Sequence, residues 1–192
     1  MTSKGRPREL GAELAARFPD LADPEAAVEA GRVLVAGRPV LNLHSRVPPG
    51  APVVVLPARP LRGAAKLSAA LDQFRVTVEG RVALDLGASA GGFTSVLLAR
   101  GVIRVYAVDA GHGQLLGSLR QDPRVINLES TNLARLDSKL VPEVVELVTV
   151  DLSFTALAVA IPQLDPALLG QKAELVALVK PMFELGLSRA FS

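Results

Sequence analysis

An aspartate closing an apolar run, with a glycine-rich turn behind it, is where this chain can do chemistry. Val82-Ala83-Leu84 leads into Asp85-Leu86-Gly87-Ala88-Ser89-Ala90-Gly91-Gly92-Phe93-Thr94, and a helix-periodic segment follows from Val96 to Ala99. The pattern predicts a buried strand, a tight turn and a helix start. Glycines in such a turn let the backbone approach a ligand closely and take up positive φ. The first N–H groups of the helix are free to meet an anionic or polar group. Roughly twenty residues further on, the spacing of an acid that binds ribose, a second apolar run from Ile103 to Val108 ends in Asp109. A carboxylate there suits a pair of ribose hydroxyls. The series strand, turn, helix, strand, acid predicts a site for a nucleoside-containing cofactor.

A dinucleotide fingerprint needs three glycines in fixed spacing, and Gly87, Gly91 and Gly92 do not supply it. Asp85 at the strand end has the usual look of an S-adenosylmethionine turn. The motif alone therefore favours S-adenosylmethionine over a nicotinamide dinucleotide, with an ordinary strand-to-helix turn as the bland alternative.

Five candidate strands must position these residues: Val82–Asp85, Ile103–Val108, Val125–Leu128, Leu147–Val150 and Leu175–Val179. Helical segments are expected over Ala64–Phe74, with Leu67, Leu71 and Phe74 on its apolar face, and near Phe93–Arg100, Gln114–Arg120 and Phe154–Ala160. Strands alternating with helices predict a parallel sheet covered on both faces. Ligands in such sheets sit at the carboxyl ends of the strands, where the strand order reverses. Asp85, Asp109, Asp151 and Lys180 all stand at or just beyond strand ends and should converge there.

Ahead of this lies a smaller piece, residues 8–56. Leu10 to Phe18 reads as a short helix. Pro24 starts a second one, capped by Asp23 and stopped at Gly31. Arg32–Val35 and Val53–Leu56 read as strands split by Gly37, Pro39 and Pro48-Pro49-Gly50. Residues 57–62, with Pro57 and Pro60, form the linker, and 63–192 the larger domain.

The chain has 192 residues, 49% of them hydrophobic and 21% charged, and no apolar run reaches the roughly twenty residues that span a bilayer. The first residues carry basic groups with no apolar segment behind them, which does not read as a secretory signal, so the cytoplasm is the expected compartment. With no cysteine there are no disulfides or thiolate metal sites, and two histidines make a histidine-rich metal site unexpected. The net charge of +2 sits in the head, where residues 1–60 hold eight Lys/Arg against six Asp/Glu. A domain built to grip RNA is usually more basic. Arg32, Arg38 and Arg46 remain candidates for phosphate contacts.

Several phrases, in order, resemble the TlyA (hemolysin A) branch of the FtsJ-like RNA 2′-O-methyltransferases. They are Arg62-Gly63-Ala64-Ala65-Lys66-Leu67, the Asp85–Thr94 turn, Val108-Asp109-Ala110-Gly111-His112-Gly113-Gln114-Leu115 and Asp122-Pro123-Arg124-Val125. Thr131-Asn132, Asp151-Leu152-Ser153-Phe154 and Val179-Lys180-Pro181-Met182-Phe183-Glu184 complete the set. The resemblance implies a Rossmann-like methyltransferase sheet, S-adenosylmethionine as cofactor and ribosomal RNA as partner. Residues 8–56 then resemble a degenerate form of the small ribosomal-protein-type RNA-binding module that the family carries in front. The cofactor residues it implies are Asp85, Gly87, Ala88, Ser89, Gly91, Gly92, Phe93, Thr94, Asp109, His112, Asn132 and Asp151. Of the family's Lys–Asp–Lys–Glu tetrad, Lys66, Asp151 and Lys180 match the first three members. A ribose hydroxyl is a poor nucleophile, and a lysine whose pKa is lowered by a neighbouring cation and burial can take its proton. Asp151 would orient that lysine or steady the sulfonium side.

The chain also departs from the family. The motifs end at Glu184, which belongs to the lysine phrase and does not match the fourth tetrad residue. That glutamate and the family's last strands are expected to be missing. His112 stands where the family usually has tyrosine, Ser130 where it has arginine and Met182 where it has glutamine. The head shows Asp23-Pro24 in place of a serine-arginine pair. Two functions follow from this mixture. One is a methyltransferase for a ribosomal RNA ribose. The other is a repurposed or inactive relative acting on a small molecule or as a binding module. A fifth strand left as an open edge would also favour a homo-oligomer, a two-fold dimer.

Overall fold

Short apolar runs broken by glycine and proline build the first of two units. The computed structural model describes residues 6–57, 61 and 63–186. It divides into Met1–Arg59 with Leu116–Ser118, and Pro60–Leu115 with Leu119–Ser192. Residues 58–60 and 62 of the expected linker lie outside the described residues.

In the first unit, β1 (Arg8–Glu9) leads directly into α1 (Leu10–Arg17), and α2 (Pro24–Glu29) follows. Pro24 occupies the first turn of α2, and the Asp23 carboxylate accepts the Ala26 N–H at 2.9 Å, so the helix start is capped by the residue types suited to it. β2 (Val33–Val35), β3 (Arg38–Pro39), β4 (Arg46–Val47) and β5 (Val53–Val55) complete the unit. β2 pairs antiparallel with β3 and β5, and β1 pairs antiparallel with β4. Leu10, Leu14, Val28 and Val33 are buried to within 1% and form its core. Glu13 is buried but pairs with Arg17 at 2.8 Å, which offsets the cost of its charge.

The second unit begins with α3 (Ala64–Phe74) and then forms a five-stranded sheet. Its strands are β6 (Val82–Leu86), β7 (Arg104–Val108), β8 (Val125–Leu128), β9 (Val145–Val150) and β10 (Leu169–Ala177). Their spatial order is β10-β9-β6-β7-β8, every pair parallel. β6 is central and buried at all five positions. The chain moves outward from it through β7 to β8, then returns to its other side for β9 and β10. The order therefore reverses between β6 and β9, which is where a crevice opens in such sheets.

Crossovers cover both faces. α3 and α4 (Gly92–Ala99) pack Leu67, Leu71 and Leu97 onto one face with Ala83, Val105 and Leu147. On the other face Leu84, Tyr106 and Val148 meet Leu136, Val141, Leu164 and Leu168. These last come from segments that include the 3₁₀ turns Leu133–Arg135, Ile161–Gln163 and Pro166–Leu168. Fully burying a leucine contributes about 1.5–3 kcal/mol, so these layers dominate the stability of the sheet. α5 (Gly117–Arg120), α6 (Leu157–Ala160) and α7 (Pro181–Glu184) are single turns. Among the described residues, no helix is long and apolar enough to cross a membrane.

The burial of one residue and the starts of three elements differ most from the sequence expectation. Phe74 is 70% exposed, because α3 ends at Arg75 in a left-handed turn and Val76 and Val78 turn back onto the core in its place. The helix expected from Gln114 starts only at Gly117, and the N–H groups of Gln114 and Leu115 ahead of it go to the Glu129 carboxylate. The one expected from Phe154 starts at Leu157, after Phe154 at φ 69°. β10 begins at Leu169 instead of Leu175, with a register shift against β9 between Leu169 and Glu174.

Candidate active site

The glycine turn is held from both sides of the strand-order reversal. Gly87 and Ala88 donate their N–H groups to Val108 O at 2.9 and 3.0 Å, and Asp151 N donates to Leu86 O at 2.9 Å. Gly87 has φ +84°, and a Cβ there would stand 2.6 Å from the Asp151 carbonyl oxygen. Only glycine lets the turn lie this close to the end of β9. Gly91 starts α4 at φ +95°, facing Leu115 and Leu119.

Behind the turn, Asp85 is fully buried. The hydroxyls of Thr94 and Thr149 donate to its two oxygens at 2.7 and 2.8 Å. Burial pushes its carboxyl up to about 6, against the opposing effect of those hydroxyls. Thr94 and Thr149 are themselves wholly buried, so this triad ties α4, β6 and β9 together beneath the turn.

A cavity of about 660 Å³ opens at the carboxyl ends of β6, β7 and β9, within the usual size of small-molecule sites. Its walls include Gly87, Ser89, Asp109, Gln114 and Asn132 on one side and Asp151, Ser153, Phe154 and Gln163 on the other. Asp109 holds the loop after β7 in place: Ser89 N donates to its Oδ2 at 2.8 Å and Gly111 N to its Oδ1 at 2.7 Å. Ser89 Oγ donates to Gln114 Oε1 at 3.0 Å, closing a ring of contacts around that wall.

Across the cavity, Lys180 Nζ lies 2.6 Å from Asp151 Oδ1 and donates to Ser153 Oγ at 3.1 Å. Asp151 Oδ1 is buried, and the Lys180 ammonium is its ion-pair partner. The segment after β9 is fastened to α7 at two further points. Phe154 and Phe183 meet with ring centroids 5.6 Å apart, and Leu157 N donates to Glu184 Oε1 at 2.7 Å. Glu184 is thus engaged in holding this segment. Phe154 remains 86% exposed at the cavity rim.

Of the residues singled out from sequence, the cavity wall brings together Gly87, Ser89, Asp109, Asn132 and Asp151. Ala88, Gly91, Gly92, Phe93 and Thr94 are buried behind it with Asp85. His112 is exposed and stands outside the lining. Lys66 sits in the first turn of α3, exposed and without an ion pair among the described residues. The start of its helix abuts the site, because a side chain at Gly63 would come within 3.3 Å of Asp151 Oδ2. Gln114, Thr131, Ser153 and Phe154 also line the cavity. They stand inside the recognised phrases but carried no assigned role. Glu129 escaped notice altogether, although it follows a strand end just as Asp109 and Asp151 do.

The FtsJ-like methyltransferase family model matches residues 60–190. The chain is 45% identical over 166 residues to the 16S/23S rRNA (cytidine-2'-O)-methyltransferase TlyA of Mycobacterium tuberculosis, covering 83% of this chain and 60% of that protein. It is 37% identical over 127 residues to hemolysin A of Brachyspira hyodysenteriae, covering 64% of this chain and 51% of that one. The chain thus spans about half to three fifths of these relatives' lengths. A hemolysin-like protein from Streptococcus thermophilus superposes with a TM-score of 0.62 at 31% identity, over 93% of this chain and 68% of its own. With a parallel sheet, a glycine turn at its reversal point and a family match over residues 60–190, the chain belongs to the FtsJ-like methyltransferases.

Proposed function

We propose that the chain binds S-adenosylmethionine in this cavity and transfers its methyl group to a ribose 2′-hydroxyl of ribosomal RNA. One observation carries the proposal: the two-sided lining, with Gly87, Ser89 and Asp109 on the β6–β7 side and Asp151, itself paired with Lys180, on the β9 side. The donor set fits the cofactor. Each Asp109 oxygen accepts one backbone N–H and keeps a further lone pair for a ribose hydroxyl. Gln114 and Asn132 offer amides to a nucleobase edge, and Leu133 and Val108 offer apolar wall. When bound, S-adenosylmethionine supplies a methyl group on a sulfonium leaving group, so the acceptor O–CH₃ bond forms as the S–CH₃ bond breaks.

By its match to the first tetrad lysine, Lys66 is the residue we assign to the proton released by the hydroxyl; being exposed, it takes this role only once bound RNA covers it and disfavours its charged form. It is free of ion pairs among the described residues and sits on the helix whose start abuts Asp151. Lys180 is committed to Asp151 and Ser153 and acts as a fixed cation beside the negative charge that develops on the acceptor oxygen. Asp151 holds Lys180 in place and offers negative charge to the sulfonium side. In the first unit, Arg38 and Arg46 are exposed, and neither they nor Arg32 form ion pairs among the described residues, which leaves all three for phosphate contacts.

The relationship to an RNA 2′-O-methyltransferase at 45% identity supports this function over a repurposed one. The test is transfer of labelled methyl from S-adenosylmethionine to isolated ribosomal subunits, followed by mapping of the modified nucleotide. Label at a ribose 2′ oxygen, lost in Asp151→Ala, is the expected result. Unlabelled subunits with cofactor binding intact would contradict the proposal.

A further inference from the structure

Glu129 stands one residue beyond β8, outside the cavity wall, with its side chain 8% exposed. Its Oε1 accepts the backbone N–H groups of Gln114 at 2.6 Å and Leu115 at 2.9 Å. Its Oε2 accepts from Asn127 Nδ2 at 3.1 Å and from Arg120 Nη2 at 3.4 Å. Arg120 also donates to Leu115 O at 3.1 Å, so the same guanidinium closes the loop from its other end. The Leu115 N–H foremost, with the Asn127 amide and the Gln114 and Gly113 backbone, holds the carboxyl down at about 2 against burial. No step of the proposed chemistry uses this group.

The contacts lead from Glu129 into the cavity. Fixing the Gln114 backbone sets where its side chain starts, and that side chain's Oε1 accepts from Ser89 Oγ. Its Nε2 lies against Gly111, where a Cβ would meet it at 2.0 Å. Ser89 and Gly111 are the two residues whose N–H groups orient the Asp109 carboxylate. A carboxylate outside the wall thus governs Gln114 directly, and Ser89 and Asp109 through it.

We infer that Glu129 is a positioning residue for the nucleoside end of the cofactor, acting by anchoring the Gly111–Leu115 loop; this rests on the S-adenosylmethionine proposal above. The anchor requires an acid. A glutamine at 129 keeps one oxygen for the two backbone N–H groups but turns an amide NH₂ toward Arg120, which can only donate, and forces the Asn127 amide to turn over so that its oxygen accepts. An alanine removes all the acceptors.

The experiment is calorimetric titration of S-adenosylhomocysteine into wild type, Glu129→Gln, Gln114→Ala and the double variant, with ligand-free thermal melts of each. Glu129→Gln is expected to weaken binding about tenfold or more, the scale of a lost charged hydrogen bond, while retaining a cooperative melt. In the Gln114→Ala background the same change should cost much less, because the two act along one route. The KM for the RNA acceptor should not move. Wild-type affinity in Glu129→Gln, or effects that simply add in the double variant, would overturn the inference. Loss of the cooperative melt would overturn it too, showing Glu129 to be a folding residue. Failure of wild type to bind would instead remove the cofactor proposal on which the inference rests.

Discussion

Replacing the buried Asp85 by asparagine should stabilise the protein near neutral pH and do nothing near pH 4. In the fold its carboxyl is fully buried, hydrogen-bonded by the Thr94 and Thr149 hydroxyls and the Thr94 backbone with no cation beside it among the described residues, and pushed from 3.8 up to about 6. The unfolded chain ionises this group near 3.8, while the folded one holds its proton until about 6. Folding stability from this group is therefore complete below about pH 4 and is lost as pH rises through 6. At about 1.4 kcal/mol per pH unit, the loss amounts to about 3 kcal/mol by pH 8. Asparagine has nearly the same shape. Its oxygen can accept from one threonine hydroxyl and its NH₂ can donate to the other once that hydroxyl rotates. The assay is urea denaturation of both proteins from pH 4.5 to 8. Taking the difference between the two at each pH cancels every other titrating group. The stability of Asp85→Asn minus that of wild type should rise by about 2 kcal/mol across this range, about 1 kcal/mol of the full difference lying below pH 4.5, and level off above pH 7. A difference that is flat with pH, or that falls, would refute the view of Asp85 as a carboxylate ionised at a cost.

Three further outcomes follow from other parts of the molecule. Gly87→Ala places a Cβ 2.6 Å from the Asp151 carbonyl oxygen at φ +84°. A left-handed alanine and an overpacked contact together should cost about 2–5 kcal/mol in urea denaturation, and wild-type stability would contradict this. Lys180→Ala should lower methyl transfer by about a hundredfold or more with S-adenosylhomocysteine affinity nearly unchanged; equal losses in both would place Lys180 on the cofactor. Arg46→Ala should weaken RNA binding and reduce the salt slope by about one, measured by filter binding across a salt series, and an unchanged slope would remove Arg46 from the RNA contact.

Local patterning made most of the sheet legible. Ala64–Phe74 and Val125–Leu128 were read with the boundaries that the structure shows, because helical spacing in one and a short apolar run in the other are fixed by nearby residues. What was not legible depends on partners distant in sequence. Gln114 has helical surroundings, but an acid fifteen residues away takes its N–H. Leu169–Leu175 has no strand signal of its own and extends only because β9 offers a pairing edge. Phe74 fits the apolar face of its helix but lies where the core has ended. In the site, acids just past strand ends were visible because a parallel sheet gathers such positions at one edge. The exposure of Lys66 was not visible, since burial depends on what packs over the first turn of α3. Glu129 was hidden because it bonds to backbone N–H groups, which every residue carries and no motif specifies.

The most direct test of the account is a calorimetric titration of the purified chain with S-adenosylmethionine and S-adenosylhomocysteine, alongside Asp109→Ala. It requires no knowledge of the RNA acceptor. The account predicts one site per chain with micromolar affinity for both ligands, lost when the Asp109 carboxylate is removed. Absence of binding, or binding that Asp109→Ala leaves intact, would contradict the assignment of this cavity to the cofactor.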